Sequence, residues 1–259
     1  MILEVDFGNT RIKWRNLGAR ATGTEPVEVG HASTVSSFLD SLQHQGKPDA
    51  IRVASVRKGD SLSEFSRWVS AHWGLTPVLA EVSRQCAGVT NSYADVSRMG
   101  VDRWLAMLSA YEQAQSACLI IDGGTALTID VLDSSGLHLG GYILPGLALM
   151  ARALEANTGI RLQETDTEVG VLPGRNTEQA VRNAALAAAS ALVEKTHSAI
   201  VGKAQPVATY LSGGDAQVLR SCLNLQGEVT INPDLVLDGL ALACPLLGEK
   251  ATQDYDRVE

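Results

Sequence analysis

Two short segments place an aspartate, one or two glycines and a threonine directly after a run of mainly apolar residues. They are Asp6-Phe7-Gly8-Asn9-Thr10 and Asp122-Gly123-Gly124-Thr125. Glycine turns expose backbone N–H groups and threonine adds a hydroxyl, so each segment could bind a phosphate. A carboxylate repels phosphate, and Asp122 would therefore hold a cation or an ordered water beside it. One such turn would more often be a plain hairpin, but two in corresponding places predict two similar half-molecules that face a shared ligand.

Strand patterns surround both turns. After the glycines, Ile12 and Trp14 in the first segment and Leu127, Ile129 and Val131 in the second alternate with polar residues. This period of two is typical of half-buried strands. The first half of the chain continues with alternating helix and strand patterns. We therefore expect a mixed sheet with helices packed on it.

Composition narrows the class of protein. The length of 259 residues indicates about two domains or one large domain. The formal net charge of −8 disfavours nucleic acid as a partner. No segment reaches the roughly 18 apolar residues of a membrane-spanning helix, and the N-terminus lacks a signal-peptide pattern. The four cysteines are widely spaced, which indicates reduced thiols rather than a zinc site or a disulfide framework. We expect a cytoplasmic protein with no membrane partner.

The domain boundary is expected where a helical pattern ends near Gln113. This gives domains of residues 1–113 and 114–259. In the second, Asn176 would cap a long alanine-rich helix, and a later strand runs into a third glycine turn, Ser212-Gly213-Gly214-Asp215. The chain contains neither a P-loop nor a Rossmann glycine motif, which argues against those two kinds of nucleotide site.

Four motifs occur in the order found in type III pantothenate kinases. They are Asp6-x-Gly8-Asn9-Thr10, Gly100-x-Asp102-Arg103, Asp122-Gly123-Gly124-Thr125 and Gly140-Gly141-x-Ile143-x-Pro145-Gly146. The chain therefore resembles this family of the acetate and sugar kinase/heat-shock 70/actin superfamily. The resemblance implies an α/β fold of two ribonuclease H-like (actin-like ATPase) domains with the active site in the cleft between them. It also implies that a homodimer transfers the ATP γ-phosphate to the primary hydroxyl of pantothenate, the first step of coenzyme A biosynthesis.

The resemblance also implies which residues bind ATP and its ions. Asp6 would act on Mg²⁺ through water, and Asp122 would bind a monovalent cation, K⁺ or NH₄⁺. Thr125 would contact ATP. Gly213 and Gly214 stand where the superfamily has its adenosine loop, although a tight turn would look the same. The other ATP-binding residues would be Phe7, Gly8, Asn9, Thr10, Arg11, Ile12 and Lys13; Lys13 could equally be an ordinary exposed strand residue.

Asp102 is the candidate catalytic residue, because it lies where a loop enters a helix. The helix N-terminus would keep it ionised to take the proton of the acceptor hydroxyl, whereas a lone aspartate in this place is more often a simple cap. Arg103 could pair with the pantothenate carboxylate or form only a surface ion pair. Thr177 would reach the acceptor across the dimer interface, or be merely a first-turn helix residue. The family match assigns the acceptor to Tyr93, Gly100, Val101, Asp102, Arg103 and Thr177.

Two other functions fit parts of this pattern. A nucleotide-responsive regulatory or binding protein would need no base for an alcohol, so the role of Asp102 discriminates it from a kinase. Another small-acceptor kinase of the same superfamily would keep the fold and change only the acceptor.

Overall fold

The computed structural model describes residues 1–18, 28–57, 59–163, 169–201 and 207–246. These residues belong to two compact units. The first contains Met1–Glu112 and the chain from Leu235 onwards, and the second contains Gln113–Asp234. No helix in the described ranges has both the length and the apolarity needed to cross a membrane.

The sheet of the first unit joins a hairpin to parallel strands. Its strands are β1 (Ile2–Phe7), β2 (Ile12–Leu17), β3 (Val29–Ala32), β4 (Ala50–Ser55) and β5 (Val78–Leu79), in the order β3-β2-β1-β4-β5. Antiparallel pairing links β1, β2 and β3, whereas β4 runs parallel to β1 and β5 runs parallel to β4. The carboxyl ends of β1 and β4 therefore lie at the same edge of the sheet, beside the first glycine turn.

In the first unit α1 (Val35–Leu42) lies between β3 and β4, and α2 (Ser61–Trp73) lies between β4 and β5. A short hairpin of β6 (Gln85–Cys86) and β7 (Val89–Thr90) and then α3 (Val101–Ala114) follow β5. Apolar residues of α1 and α2 cover one face of the sheet, where the rings of Phe7, Phe38 and Phe65 pack together at centroid distances of 5.3–5.8 Å. This face supplies the core of the first unit.

The second unit repeats the plan of the first sheet. Its strands are β8 (Ala117–Gly123), β9 (Ala126–Leu132), β10 (His138–Pro145), β11 (Val207–Ser212) and β12 (Val229–Ile231), in the order β10-β9-β8-β11-β12. The first two pairings are antiparallel and the last two parallel, as in the first unit. The expectation of two similar halves is thus confirmed at the level of strand order.

The helices of the second unit are α4 (Leu147–Asn157), α5 (Thr177–Val201) and α6 (Ala216–Cys222). Leu186 and Val193 of α5 and Leu219 of α6 pack on the sheet in a single apolar core. The cap of α5 forms as the sequence predicts. Asn176 Oδ1 accepts a hydrogen bond from the backbone of Gln179 at 2.8 Å, and Gln179 Oε1 accepts one from the backbone of Arg175 at 3.0 Å.

The last described helix, α7 (Leu235–Ala243), packs on β1 and β4 of the first unit. Besides its buried leucines, Leu235, Leu237 and Leu240, it contacts a group of buried charged residues. Glu4, which is inaccessible to solvent, accepts hydrogen bonds from Arg15 at 2.8 Å and from Arg52 at 3.0 Å. Arg15 continues to Asp238 at 2.6 Å, and Arg52 donates to the carbonyl of Cys244 at 3.0 Å. Two arginines therefore tie α7 to the sheet.

This arrangement differs from the expected division into residues 1–113 and 114–259. The break inside the chain lies at 112/113, but α7 belongs to the first unit. The physical reason is the buried charge cluster, together with Gly239, where an added Cβ would lie 2.2 Å from the carbonyl oxygen of Leu105 in α3. Only glycine allows α7 to approach α3 so closely. An aspartate and a glycine in a short apolar helix give no sequence signal for either contact.

Candidate active site

The first glycine turn connects β1 to β2 at the carboxyl edge of the first sheet. Asn9, Thr10 and Arg11 are exposed, so their backbone and side-chain groups are open to a ligand. Gly8 is confined, because an added Cβ would lie 3.1 Å from the carbonyl oxygen of Arg11. A side chain here would push against the other limb of the turn. Gly8 therefore keeps the turn tight.

The strands on either side place a carboxylate opposite an ammonium group. Asp6 and Lys13 are register partners across the antiparallel pair of β1 and β2, so their side chains leave the same face of the sheet. Both are half-buried. By contrast, the side chains of Phe7 and Ile12 are fully buried in the apolar core. These two predicted ATP-binding residues could therefore reach ATP only through the main chain.

Arg57, which the sequence did not single out, holds the first turn from the end of β4. Its Nε donates a hydrogen bond of 2.6 Å to the carbonyl oxygen of Gly8. The neighbouring backbone extends the same link, since the N–H of Val56 donates to the carbonyl of Phe7 at 3.2 Å. An arginine two residues beyond a strand looks like ordinary surface charge in a sequence, and its contact with the turn is apparent only once β1 and β4 are known to pair in parallel.

The second glycine turn, between β8 and β9, lies against the start of α4. The N–H of Gly146 donates to the carbonyl of Thr125 at 2.9 Å, and the N–H of Gly124 donates to that of Ala126 at 3.0 Å. An added Cβ on Gly146 would lie 2.0 Å from the carbonyl oxygen of Gly124. The central turn and the Pro145-Gly146 turn thus fit together only because residue 146 has no side chain.

The third glycine turn, between β11 and α6, packs on the same place. Gly213 has φ of +84°, and an added Cβ would lie 2.4 Å from both Asp122 Oδ1 and the carbonyl oxygen of Gly123. The N–H of Asp215 donates to that same carbonyl at 2.9 Å. Gly214 is exposed and has open space around it. Asp122, Thr125, Gly213 and Gly214 therefore lie on adjoining turns of the second unit, as a shared ligand site requires.

Asp215 joins two of these turns and was not nominated from the sequence. Its carboxylate accepts a hydrogen bond from the backbone N–H of Leu147, the first residue of α4. Burial raises the pKa of the Asp215 carboxyl, and the Leu147 N–H opposes this shift by stabilising the charged form. The α4 N-terminus is thereby tied to the loop that opens α6.

The candidate base lies on the first turn of α3. Asp102 Oδ1 accepts a hydrogen bond from the backbone N–H of Arg103 at 2.8 Å, and an added Cβ on Gly100 would lie 2.5 Å from that same oxygen. The carboxylate is folded back over Gly100, so the glycine of this motif makes room for it. Val101 is buried and begins the helix. Asp102 is half-buried and remains accessible to a small acceptor.

Arg103 and Tyr93 form a preassembled pair beside Asp102. The Nη1 of Arg103 donates to the Tyr93 hydroxyl at 2.9 Å, and its guanidinium carbon lies 5.7 Å from the centre of the tyrosine ring. Only 6% of Arg103 is exposed, so the reading of this residue as a surface ion pair does not hold. A buried guanidinium next to a candidate base suits an acceptor that carries a carboxylate.

Thr177 belongs to the second unit, whereas the other residues predicted to bind the acceptor belong to the first. It is the first residue of α5, directly after the Asn176 cap, and it is exposed. Within one chain its geometry is that of a first-turn residue. A role of Thr177 in acceptor binding would therefore depend on the assembled oligomer.

Comparisons with known proteins decide the family. A model of the type III pantothenate kinase family matches residues 2–199. Proteins named type III pantothenate kinase from Pseudomonas savastanoi pv. phaseolicola and Pseudomonas paraeruginosa are both 39% identical over 256 residues, covering 95% of this chain and 100% of theirs. The chain belongs to the type III pantothenate kinase family. This confirms the resemblance stated from the four motifs, and the chain is a kinase.

Solved structures confirm the fold class. A Baf family protein from Campylobacter jejuni aligns with a TM-score of 0.59 at 20% identity, over 92% of this chain and 94% of its own. A protein from Sinorhizobium meliloti assigned as a 2-dehydro-3-deoxygalactonokinase aligns with a TM-score of 0.55 at 13% identity, over 95% of this chain and 100% of its own. The fold is the two-sheet α/β architecture of the actin-like ATPase and sugar kinase superfamily.

Proposed function

We propose that this enzyme transfers the γ-phosphoryl group of ATP to the primary hydroxyl of pantothenate, giving 4′-phosphopantothenate and ADP, the first step of coenzyme A biosynthesis. Membership of the type III pantothenate kinase family carries the proposal. The site supports it locally, because a kinase for this acceptor needs a base for an alcohol and a cation for a carboxylate. Asp102 could act as the base, and the adjacent, buried Arg103 could act as the cation.

On the acceptor side, Asp102 takes the proton of the hydroxyl as its oxygen attacks the γ-phosphorus. The bond from that phosphorus to the β–γ bridging oxygen then breaks, and ADP leaves. Arg103 pairs with the pantothenate carboxylate, and Tyr93 holds the guanidinium in place. Gly100 and Val101 form the backbone on which Asp102 is folded back. These residues orient the acceptor and supply the base.

On the ATP side, the two sets of glycine turns serve the same phosphoryl transfer. In the first unit the exposed Asn9, Thr10 and Arg11 offer donors to phosphate oxygens, and Lys13 adds a positive charge. In the second unit Thr125 contacts the phosphates, and the open loop at Gly213 and Gly214 accepts the adenosine. Phe7, Gly8 and Ile12 contribute main-chain groups, because the side chains of the two apolar residues are buried.

Two kinds of cation fit the residues present. Asp122 Oδ1 and the carbonyl oxygen of Gly123 converge beside Gly213, each 2.4 Å from the point where a Cβ would lie. Such a set of oxygens suits a hard monovalent cation such as K⁺ or NH₄⁺, which would offset phosphate charge next to the second turn. The Asp6 carboxylate beside the first turn has the oxygen chemistry that Mg²⁺ prefers, directly or through water.

We also propose that the enzyme is a homodimer of the cytoplasm. The support for a dimer is an apolar surface on the second unit, formed by the edge strand β10 and by α4. On β10, Leu139, Tyr142 and Ile143 are 50–63% exposed, and α4 has no buried residue although it carries four leucine or methionine side chains. Exposed edge strands and apolar helices of this kind mark association surfaces. All four cysteines are free thiols, which suits a reducing compartment.

A panel of acceptors tests the proposed reaction. The purified enzyme is incubated with γ-labelled ATP, Mg²⁺ and each of several small alcohols, sugars and hydroxy acids, in potassium and in sodium buffers. We expect label transfer to pantothenate and a markedly higher rate in potassium. Transfer to a different acceptor would make this another kinase of the superfamily. ATP binding with no transfer to any acceptor would favour a regulatory role, and equal rates in the two buffers would refute the cation site.

A further inference from the structure

Tyr93 stands on a segment that has no regular secondary structure. Residues 91–95 connect the β6–β7 hairpin to a single 3₁₀ turn, Val96–Arg98, and are themselves assigned to neither a strand nor a helix. Yet the hydroxyl of Tyr93 accepts the hydrogen bond that orients Arg103. Something other than a sheet or helix must therefore fix the position of Tyr93.

The guanidinium of Arg84 gathers three carbonyl groups of this segment. Its Nη1 donates to the carbonyl of Asn91 at 2.8 Å and to that of Tyr93 at 2.7 Å, and its Nη2 donates to that of Ala94 at 3.0 Å. A planar guanidinium has several N–H donors in a fixed fork, so it can hold three carbonyls in one arrangement. The segment is thus wrapped around a single side chain.

The hairpin places Arg84 opposite this segment. Gln85 pairs with Thr90 and Cys86 with Val89, and the ladder continues one residue further, where the N–H of Asn91 donates to the carbonyl of Arg84 at 2.9 Å. Asn91 adds a local link, since its Oδ1 accepts from the N–H of Tyr93 at 2.9 Å. Main chain and side chain of Arg84 therefore both act on residues 91–94.

Arg84 contributes little to the cores that hold the first unit together. Its side chain is exposed, and its guanidinium donates to the carbonyls of the segment. Hydrogen bonds at the surface exchange with bonds to water and add little to overall stability. Their effect is instead on which conformation the segment adopts.

We propose that Arg84 is a positioning residue for the acceptor: it fixes residues 91–94, and through the Tyr93 hydroxyl it sets the direction of the Arg103 guanidinium. The inference rests on the proposed assignment of Tyr93 and Arg103 to pantothenate binding. Losing Arg84 frees the segment, and the site must then order it each time the acceptor binds, which weakens binding. The chemical step and the ATP turns are unaffected.

Steady-state kinetics of Arg84→Ala, Arg84→Lys and a control, Arg67→Ala, test this role. Arg67 is another exposed arginine of the first unit, and its Nε donates to the carbonyl of Ser63 one helical turn away, at 3.4 Å. For Arg84→Ala we expect the KM for pantothenate to rise roughly tenfold, with kcat and the KM for ATP within about twofold of wild type. Arg84→Lys recovers part of the affinity, and Arg67→Ala changes none of the three constants.

Tyr93→Phe removes only the hydroxyl. It tests the assignment of Tyr93 and Arg103 to pantothenate binding separately from the role of Arg84. An unchanged KM for pantothenate in Arg84→Ala, beside a raised one in Tyr93→Phe, overturns the role of Arg84 and leaves the acceptor site intact. Equal rises in both KM values and a lowered Tm for Arg84→Ala also overturn it, because they indicate a general structural role. An unchanged KM in Tyr93→Phe overturns both the assignment and the inference.

Discussion

At the scale of single residues, the orientation of one peptide in the first phosphate turn depends on Arg57. The carbonyl of Gly8 and the N–H of Asn9 belong to the same planar trans peptide and point in opposite directions. Because Arg57 binds the Gly8 carbonyl at 2.6 Å, the Asn9 N–H is turned to the side away from Arg57. Glycine rotates easily, so without Arg57 the carbonyl could turn towards the phosphate side and repel it.

We therefore expect Arg57→Ala to raise the KM for ATP by roughly tenfold while the KM for pantothenate stays near its wild-type value. Arg57→Lys should restore part of the affinity for ATP. Initial rates measured against each substrate in turn give both constants. Arg84→Ala is expected to raise only the KM for pantothenate, so the two variants should change the KM of different substrates. A rise in the pantothenate KM of Arg57→Ala, with the ATP constant unchanged, would contradict its placement at the ATP turn.

At the scale of elements, α7 is held on the first sheet by charge rather than by apolar packing alone. Glu4 has no exposure and Arg52 has 1%, and their charges compensate each other in a cluster that includes Arg15 and Asp238. Removing one partner of a buried ion pair leaves the other charge uncompensated, which costs far more than the pair contributes. The cluster therefore decides where α7 docks.

Glu4→Gln should lower the free energy of unfolding of the first unit by about 3–5 kcal/mol. The four tryptophans Trp14, Trp68, Trp73 and Trp104 all lie in that unit, so urea denaturation followed by tryptophan fluorescence reports on it selectively. Asp49→Asn, at an exposed partner of the N-terminal amine, serves as the control and should change little. A loss below about 1 kcal/mol for Glu4→Gln would show that the cluster does not anchor α7.

Asp215 gives the second unit a pH dependence of predictable sign. Burial raises the pKa of its carboxyl in the folded state. The folded protein therefore binds a proton at Asp215 more tightly than the unfolded chain does. The cost of ionising it is absent below the ordinary aspartate pKa and grows as pH rises through the folded value. Asp215→Asn keeps an oxygen for the Leu147 N–H and removes the charge.

We expect Asp215→Asn to raise the Tm by roughly 1–3 °C at pH 7, with the difference shrinking towards pH 4. Asp133→Asn is a control of opposite sign. Burial raises the pKa of Asp133 as well, but hydrogen bonds from the Ser135 hydroxyl and the backbone of Ser135 and Leu137 outweigh burial and lower it. Thermal unfolding across this pH range compares the two. A wild-type protein more stable than Asp215→Asn at pH 7 would refute the proposed burial cost.

At the scale of the whole molecule, the same strand plan occurs twice, and each copy ends its first strand in a glycine turn. In the first copy the hairpin carries Asp6 and Lys13, and in the second it carries Asp122 and Thr125. The units differ in what is added to this frame. The first gains α3, with the candidate base, and the second gains α5, with Thr177 exposed at its start.

If Thr177 reaches the acceptor across the proposed dimer, two different variants can complement each other and form one native active site. In a mixed dimer of Asp102→Asn and Thr177→Ala, the site that uses Asp102 from one chain and Thr177 from the other contains both native residues. After co-refolding of equal amounts, we expect about a quarter of the sites to show the wild-type KM for pantothenate. If only the constants of the two parents appear, Thr177 acts within its own chain or not at all.

Much of this architecture could be predicted from the sequence because it depends on patterns of residues close together in the chain. Alternating apolar residues gave the hairpins at residues 2–17 and 119–131, and Asn176 marked the start of α5. The docking of α7 could not be predicted, since it depends on Arg15 and Arg52, both bound to Glu4, meeting residues more than 180 positions away. Arg57 and Arg84 were missed for a related reason. Both bind backbone carbonyls, and a sequence pattern does not show which carbonyls a long side chain will meet.

The proposed mechanism requires Asp102 to take the proton of the acceptor hydroxyl, and Asp102→Asn removes that capacity while leaving the rest of the site in place. The change is nearly isosteric, since asparagine can still accept from the Arg103 N–H over Gly100, so tryptophan fluorescence and both KM values should stay close to wild type. The decisive measurement is kcat with saturating ATP and pantothenate. We expect it to fall by about 10³-fold, within the range of a lost general base, whereas turnover near the wild-type rate would contradict the mechanism.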